Sequence, residues 1–205
     1  MTTRTQSHAD AGPDAHAVAK RDTTVMRPLE SHAEATAPER DGEELRYAVA
    51  RTALGTVAIG ATSRGLRGAL FVDGPGDARQ ALAEEFPGAR LTEDGPALAA
   101  YVEAVHAAAD GHPAREVSLD LHGTPFQRRV WDALRSVPTG STATYAAIAE
   151  RIGAPRAVRA VAGACARNHI ALLVPCHRVV RSDGGWGGYR WGIDRKRALL
   201  DAEAR

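Results

Sequence analysis

The sequence predicts an α/β (α+β) chain: a small mixed α/β part over residues 44–121, then a helical part over 122–205 built around a helix-turn-helix pair. Three observations carry this. Short β-prone runs separated by glycine turns occupy the first part, a capped helix start opens the second, and the charge divides between them. Residues 1–121 hold 12 Lys and Arg against 19 Asp and Glu, whereas residues 122–205 hold 14 against 6. The C-terminal part is therefore a basic module, a footprint that suits a polyanion such as nucleic acid and equally an ordinary solvated surface.

Residues 1–43 carry only Met1, Val18, Val25, Met26 and Leu29 as large apolar side chains, too few to bury a core, and are expected to form a disordered tail. His8, His16 and His32 have no cysteine partners and no tight spacing there, so no metal is expected. From Glu44 the runs LRYAVART, TVAIGAT and RGALFV, broken at Leu54-Gly55 and Arg64-Gly65, read as an antiparallel meander. Helical spacing follows over Ala78–Phe86 and Pro96–Ala109, with Leu98, Tyr101, Val102 and Val105 on one stripe, and Val117–Leu121 alternates as one more strand. No chemistry-bearing pattern falls in residues 44–121.

The second part opens on Gly123-Thr124-Pro125-Phe126-Gln127. Thr is an N-cap, Pro takes the first helical position, and Gln three residues on closes a capping box. Phe126, Val130, Trp131, Leu134 and Val137 then share a face until Pro138-Thr-Gly140 stops the helix. Thr144–Ile152, the Gly153-Ala-Pro155 turn and Arg156–Arg167 form the helix-turn-helix pair. In its second helix Val158, Val161 and Cys165 make a buried stripe. Arg159, Ala160, Gly163 and Ala166 leave the opposite side nearly bare, which suits either tight helix packing or close approach to a ligand. Leu172–Val174 reads as a short strand ending at Pro175-Cys176-His177-Arg178. Val179-Val180, a glycine-rich loop with Trp186 and Tyr189, and a helix over Ile193–Ala204 complete the chain.

No run approaches the roughly 18–20 consecutive apolar residues of a membrane helix, and the N-terminus has no apolar core of a secretory signal. The expected location is cytoplasmic. Cys165 and Cys176 are too few for a disulfide framework, which leaves a buried small hydrophobe, a nucleophile, or one of each. An ordinary thiol is mostly protonated at neutral pH, so a nucleophilic cysteine needs a base or a positive field beside it, and Cys176 has His177 and Arg178 as neighbours.

Taken in order and spacing, GTPFQRRVWDAL, VPTGSTATYAAIA, RAVRAVAGACARN, PCHRVV, GGYRWG and RKRALLDAE resemble the O6-alkylguanine-DNA alkyltransferase (methylated-DNA-protein-cysteine methyltransferase) family. The likeness is to the C-terminal half of bacterial Ada-type proteins, with 44–121 fitting the family's variable N-terminal domain and 122–205 its winged-helix-like domain. The resemblance implies a repair protein that takes the alkyl group of O6-alkylguanine, and less well O4-alkylthymine, irreversibly onto Cys176, once per molecule. It assigns proton removal to His177 through a bridging water, orientation of that imidazole to Glu203, bracing to Asn168, and donation to the leaving base to Tyr145. Toward DNA it assigns Arg159 as the side chain replacing the extruded nucleotide and Ala160 and Gly163 as the close-approach surface of a helix in the minor groove. Ser182, Tyr189 and Arg190 complete those contacts, with backbone contacts at Val179 and Arg190 and Tyr189 as the pocket wall. The implied partner is double-stranded DNA bound without sequence specificity by a monomer in the bacterial cytoplasm, with no cofactor. Ser141 and Trp186 depart from the family's usual residues, and no cysteine precedes Cys165, so neither a metal nor phosphotriester repair is expected. The alternatives are a non-catalytic sensor of alkylated DNA and a thiol hydrolase.

Overall fold

The computed structural model describes residues 42–205, so the expected tail and its histidines lie outside the described residues except at Gly42 and Glu43. Glu43 is already part of the fold, its carboxylate accepting from Arg64 (2.7 Å) and Arg67 (3.2 Å). The expected meander forms as β1 (Glu44–Thr52), β2 (Gly55–Thr62) and β3 (Gly65–Val72), antiparallel throughout. After α1 (Ala78–Glu85) the chain adds β4 (Arg90–Glu93), parallel to β1 at the sheet edge, giving the order β3-β2-β1-β4. The sequence reading missed β4 because Arg-Leu-Thr-Glu is short, mostly exposed and nearly devoid of apolar alternation.

Where β2 and β3 pair, Gly60 faces Gly68. The missing side chains let α1 lie almost on the sheet: a Cβ on Gly68 would come within 2.7 Å of the Phe86 ring. Leu82 and Phe86 fill that floor, and α2 (Ala99–Ala109) closes the core with Val105, which is fully buried.

Expected strand 117–121 is not a strand. Only Leu66 and Leu119 bridge, with Leu66 N donating to Ser118 O and Asp120 N to Leu66 O, both 2.8–2.9 Å. The physical reason is a shared edge: farther along β3, Ala69 N donates to His169 O and Ala171 N to Ala69 O, each 2.9 Å. Two separate pieces of chain thus divide one edge, and neither is long enough to make a ladder. Leu172–Val174 is likewise a turn, with Leu172 in the left-handed region at φ 70°. That conformation costs a branched side chain about 1–2 kcal/mol, and burial of Leu172 (2% exposed) offsets it.

α3 (Pro125–Arg135) starts on the expected capping box, with Thr124 Oγ1 accepting from Gln127 N at 3.2 Å and Gln127 Oε1 accepting from Thr124 N at 2.8 Å. Its Trp131 donates from Nε1 to Ala164 O at 2.9 Å and so docks the helix on α5 (Val158–Ala166). Between them lies α4 (Tyr145–Arg151), entered from the two-residue strand β5 (Ala143–Thr144), which pairs parallel with β6 (Val179–Val180). The last helix is α6 (Ile193–Glu203). The second helix of the pair starts two residues later than expected, after a turn in which Ala157 N donates to Ala154 O, and Val158, expected in the buried stripe, is 36% exposed. None of the described helices is long and apolar enough to cross a membrane.

Replacing Thr124 with Ala removes one arm of the capping box and is expected to cost about 1 kcal/mol. Urea unfolding followed by circular dichroism measures this, and a loss below about 0.3 kcal/mol would contradict a working cap.

Candidate active site

Cys176 begins a single 3-10 turn (Cys176–Arg178) that leads straight into β6. The turn holds three functional side chains in three directions. Cys176, His177 and Arg178 are all buried. Because β6 pairs with β5, and Tyr145 follows β5 as the first residue of α4, four backbone positions tie the phenol to the thiol segment. Asn168 lies two residues beyond the end of α5. Its Nδ2 donates to Cys176 Sγ at 3.2 Å and to Val174 O at 2.8 Å, while its Oδ1 accepts from Ile170 N at 2.9 Å. One amide thus fixes the sulfur and the turn that delivers it.

Glu203, at the end of α6, receives the other two side chains of the turn. His177 Nε2 lies 2.8 Å from Glu203 Oε1, and Arg178 Nε reaches both carboxylate oxygens at 3.1 and 3.0 Å. Arg178 is itself fixed by Val137 O (2.7 Å) and Thr139 Oγ1 (3.1 Å), so it braces Glu203 rather than lending its charge directly to the thiol. Burial alone would raise the Glu203 pKa, but the bonds from His177 and Arg178 outweigh it and hold the carboxyl at about 2. Burial lowers the His177 pKa from its usual 6.5, despite the carboxylate, so the imidazole is neutral at pH 7. An ionised carboxylate only accepts, so His177 Nε2 carries the ring proton and Nδ1 carries the lone pair. Nδ1 is buried and has no hydrogen-bond partner among the described residues.

The thiol is in the opposite condition. Burial pushes Cys176 up to about 11, with the Asn168 bond and the Lys196 charge acting against the rise. At pH 7 the group therefore stays a thiol. A nucleophile so protected acts only when a neighbouring base takes its proton. The base with a bare nitrogen is the adjacent His177.

Around this pair the expected pocket residues converge. Tyr145 is half-buried, its pKa raised to about 12 by burial and by the two nearby thiols, and a Cβ on Gly187 would lie 2.8 Å from its hydroxyl. Gly187, at φ 67°, is what lets the glycine-rich loop pass over the phenol. Tyr189 packs edge-on against His177 (6.3 Å) and Trp191 (5.3 Å), with its hydroxyl buried. Arg159 and Ala160 are exposed on α5, with Gly163 half-buried beside them, and Ser182 is exposed in the loop between the paired Arg181 and Asp183 (2.7 Å). The Arg190 side chain turns away from the pocket toward Glu85. Cys165 is buried, as expected for a core residue.

Sequence reasoning missed Lys196. Its Nζ is fully buried and donates to Val179 O at 2.5 Å and to Trp186 O, joining β6 to the lip of the loop, and burial lowers its pKa to about 8. The signal was present: Lys196 and Lys20 are the two lysines among 26 basic residues. A compact ammonium suits two carbonyls where a guanidinium fork would not fit.

Comparison with known proteins comes to the same region. The family model described as "6-O-methylguanine DNA methyltransferase, DNA binding domain" matches residues 125–205. The chain is 42% identical over 169 residues to the bifunctional transcriptional activator/DNA repair enzyme Ada of Escherichia coli, covering 80% of this chain and 47% of that protein. It thus spans about half of that relative's length. It is 49% identical over 115 residues to a methylated-DNA–protein-cysteine methyltransferase of Mycolicibacterium paratuberculosis, covering 56% of this chain and 70% of the relative. The crystal structure of Mycobacterium tuberculosis OGT in complex with DNA aligns with a TM-score of 0.64 at 36% identity, over 78% of this chain and 92% of that one. The O6-methylguanine-DNA methyltransferase of the archaeon Pyrococcus kodakaraensis aligns with a TM-score of 0.58 at 29% identity, over 78% and 99% respectively.

The depressed Glu203 pKa has a consequence for stability. A carboxyl lowered from 4.5 to about 2 contributes fully above pH 4.5, and that contribution disappears as pH falls through about 2. Glu203→Gln is therefore expected to cost on the order of 3 kcal/mol at pH 7. The loss should shrink as pH falls from 4.5 toward 2, in urea melts of both proteins across that range. A difference independent of pH would contradict the charge assignment.

Proposed function

Because this chain belongs to the methylated-DNA–protein-cysteine methyltransferase family, we propose that it repairs alkylated DNA by moving the alkyl group of O6-alkylguanine onto its own Cys176. The observation that carries the reading is a buried acceptor thiol held by Asn168 at 3.2 Å and followed in the chain by His177, itself 2.8 Å from Glu203.

The chemistry follows from that geometry. His177 Nδ1 takes the thiol proton through a bridging water, and Glu203 supports the imidazolium that results. The sulfur attacks the alkyl carbon, the new S–C bond forms as the O6–C bond breaks, and the bonding pair returns to the guanine. In this reading Tyr145 donates to that base, supported by a raised pKa that keeps its phenol proton in place. The product is a thioether, which cellular thiols do not reverse, so one chain acts once. O4-alkylthymine is a weaker substrate on the same logic.

The basic C-terminal part is the DNA-binding part of the family. Its α5 presents Arg159 and Ala160 to solvent, with half-buried Gly163 behind them, and this small-residue surface suits the minor groove, where sequence is read poorly and repair in any context is served. Arg159 takes the place of the extruded nucleotide. Ser182, Tyr189 and the backbone of Val179 and Arg190 receive the base and its strand. Val179 O already accepts from Lys196 at 2.5 Å, and a carbonyl has a second lone pair for a base edge. The protein acts as a monomer in the cytoplasm and needs no cofactor.

Intact-protein mass spectrometry after incubation with an oligonucleotide holding one O6-methylguanine tests this, with Cys176→Ala in parallel. A single added methyl on Cys176, saturating at one equivalent and absent from the variant, is expected. Tight binding without a mass change would overturn transfer in favour of a sensor.

Trp186 forms part of the loop lip, beneath the Arg197 guanidinium at 5.6 Å. Trp186→Ala is expected to speed benzyl transfer relative to methyl transfer in single-turnover assays. An unchanged ratio would show that the indole does not limit the size of the alkyl group.

A further inference from the structure

Glu85 lies in α1, outside the matched DNA-binding region, in a part of the chain where the sequence shows no chemistry. It is the last residue of its helix, where the backbone dipole disfavours a carboxylate. Two partners, one of them the Arg190 guanidinium, offset that. His169 Nδ1 bonds to its Oε1, and Arg190 Nη2 donates to its Oε2 at 2.5 Å. The His169 bond, followed by the Arg190 bond and charges, outweighs burial and holds the Glu85 carboxyl at about 2.

Both partners adjoin residues of the site. Arg190 directly follows the wall residue Tyr189, and its Nη1 donates to Asn168 O at 3.3 Å. His169 directly follows Asn168, whose amide holds the acceptor sulfur at 3.2 Å. The His169 ring is itself confined between Phe86 (5.9 Å) and Trp131 (6.3 Å), and its carbonyl accepts from Ala69 N of β3 at 2.9 Å. One carboxylate therefore joins the two sides of the pocket, the glycine-rich loop and the turn after α5, to the N-terminal sheet layer.

We propose that Glu85 is a positioning residue for alkyl transfer: through Arg190 and His169 it sets the placement of Tyr189 and Asn168 around the Cys176 sulfur. The N-terminal part then acts on the reaction without touching substrate. The inference rests on the transfer reading above. The geometry needs both carboxylate oxygens as acceptors and both partners engaged, because a neutral amide leaves one acceptor oxygen for the two of them and turns its NH2 toward Arg190 or His169.

The test measures single-turnover methyl transfer and DNA affinity separately, for the wild type, Glu85→Gln, Glu85→Ala and the exposed control Glu84→Gln. Misplacing a nucleophile's supports by a fraction of an ångström slows reaction by about tenfold to a hundredfold, and that is the expected fall in rate for both Glu85 variants. Affinity for undamaged duplex should stay within about twofold, because both oxygens are already taken up by His169 and Arg190. Hydrogen exchange should quicken in residues 181–192 and 168–171 while β1–β3 keep their protection. Glu84→Gln should match the wild type in all three. If the wild type transfers and Glu85→Gln transfers equally fast, the positioning role is overturned and the transfer reading stands. If exchange quickens throughout the sheet together with the rate loss, Glu85 is only a stabilising residue and the role is again overturned. A wild type that transfers nothing overturns both.

Discussion

The Glu203 carboxylate takes hydrogen bonds from His177 and from Arg178 while 2% of its side chain remains exposed, and most of the site's geometry follows from the need to keep that buried charge satisfied. It sits at the C-terminal end of α6, an electrostatically poor place for an anion, which the Arg178 guanidinium offsets while it also orients the carboxylate. Gly140 shows how closely the surroundings are drawn in. Its N donates to Glu203 Oε2 at 3.2 Å, its φ is 75°, and a Cβ there would stand 2.9 Å from the Glu203 carbonyl oxygen. The Pro138–Gly140 turn that ends α3 is thus also the surface that seats α6. Removing the carboxylate would release the imidazole, the guanidinium and that turn together.

That arrangement separates storing a nucleophile from using it. Burial keeps Cys176 a thiol and His177 a neutral base, two conditions that suit the proposed transfer, in which a single acceptor must not be spent on stray electrophiles. Lys196 tempers the thiol's burial without ionising it. As a cation bonded to two carbonyls, it couples the strand after Cys176 to the loop lip at Trp186, so charge near the sulfur and closure of the pocket depend on one side chain. The same economy appears at Asn168, whose three side-chain bonds serve the sulfur and the turn at once.

Local signals in the sequence were readable wherever the physics is local. The Thr124–Gln127 box, the glycine turns of the meander and the Cys176-His177 pair each lie within a few residues, and each is where the spacing put it. What the sequence concealed depends on contacts between distant segments. The 117–121 run has strand composition, yet β3 has one free edge for two claimants, 117–121 and 169–171, and alternation cannot tell which pairs it, while the strand-like 172–174 run is a turn. Val158 has the periodicity of a core residue but faces outward because Pro155 delays the start of α5. Arg178, read as a neighbour of the thiol, points with His177 to Glu203, a carboxylate 25 residues away in the chain. Glu85 carried no signal at all: its partners lie 84 and 105 residues away.

Proton removal from Cys176 depends most directly on which nitrogen of His177 carries the proton. Selective nitrogen-15 labelling of histidine, with His177→Gln to assign the signal, resolves this by NMR in the folded, unreacted protein. A neutral ring at pH 7, protonated at Nε2 and bare at Nδ1, with imidazolium appearing only below pH 6.5, is the expected result. An imidazolium at pH 7, or a ring protonated at Nδ1, would leave Cys176 without its base and contradict the mechanism.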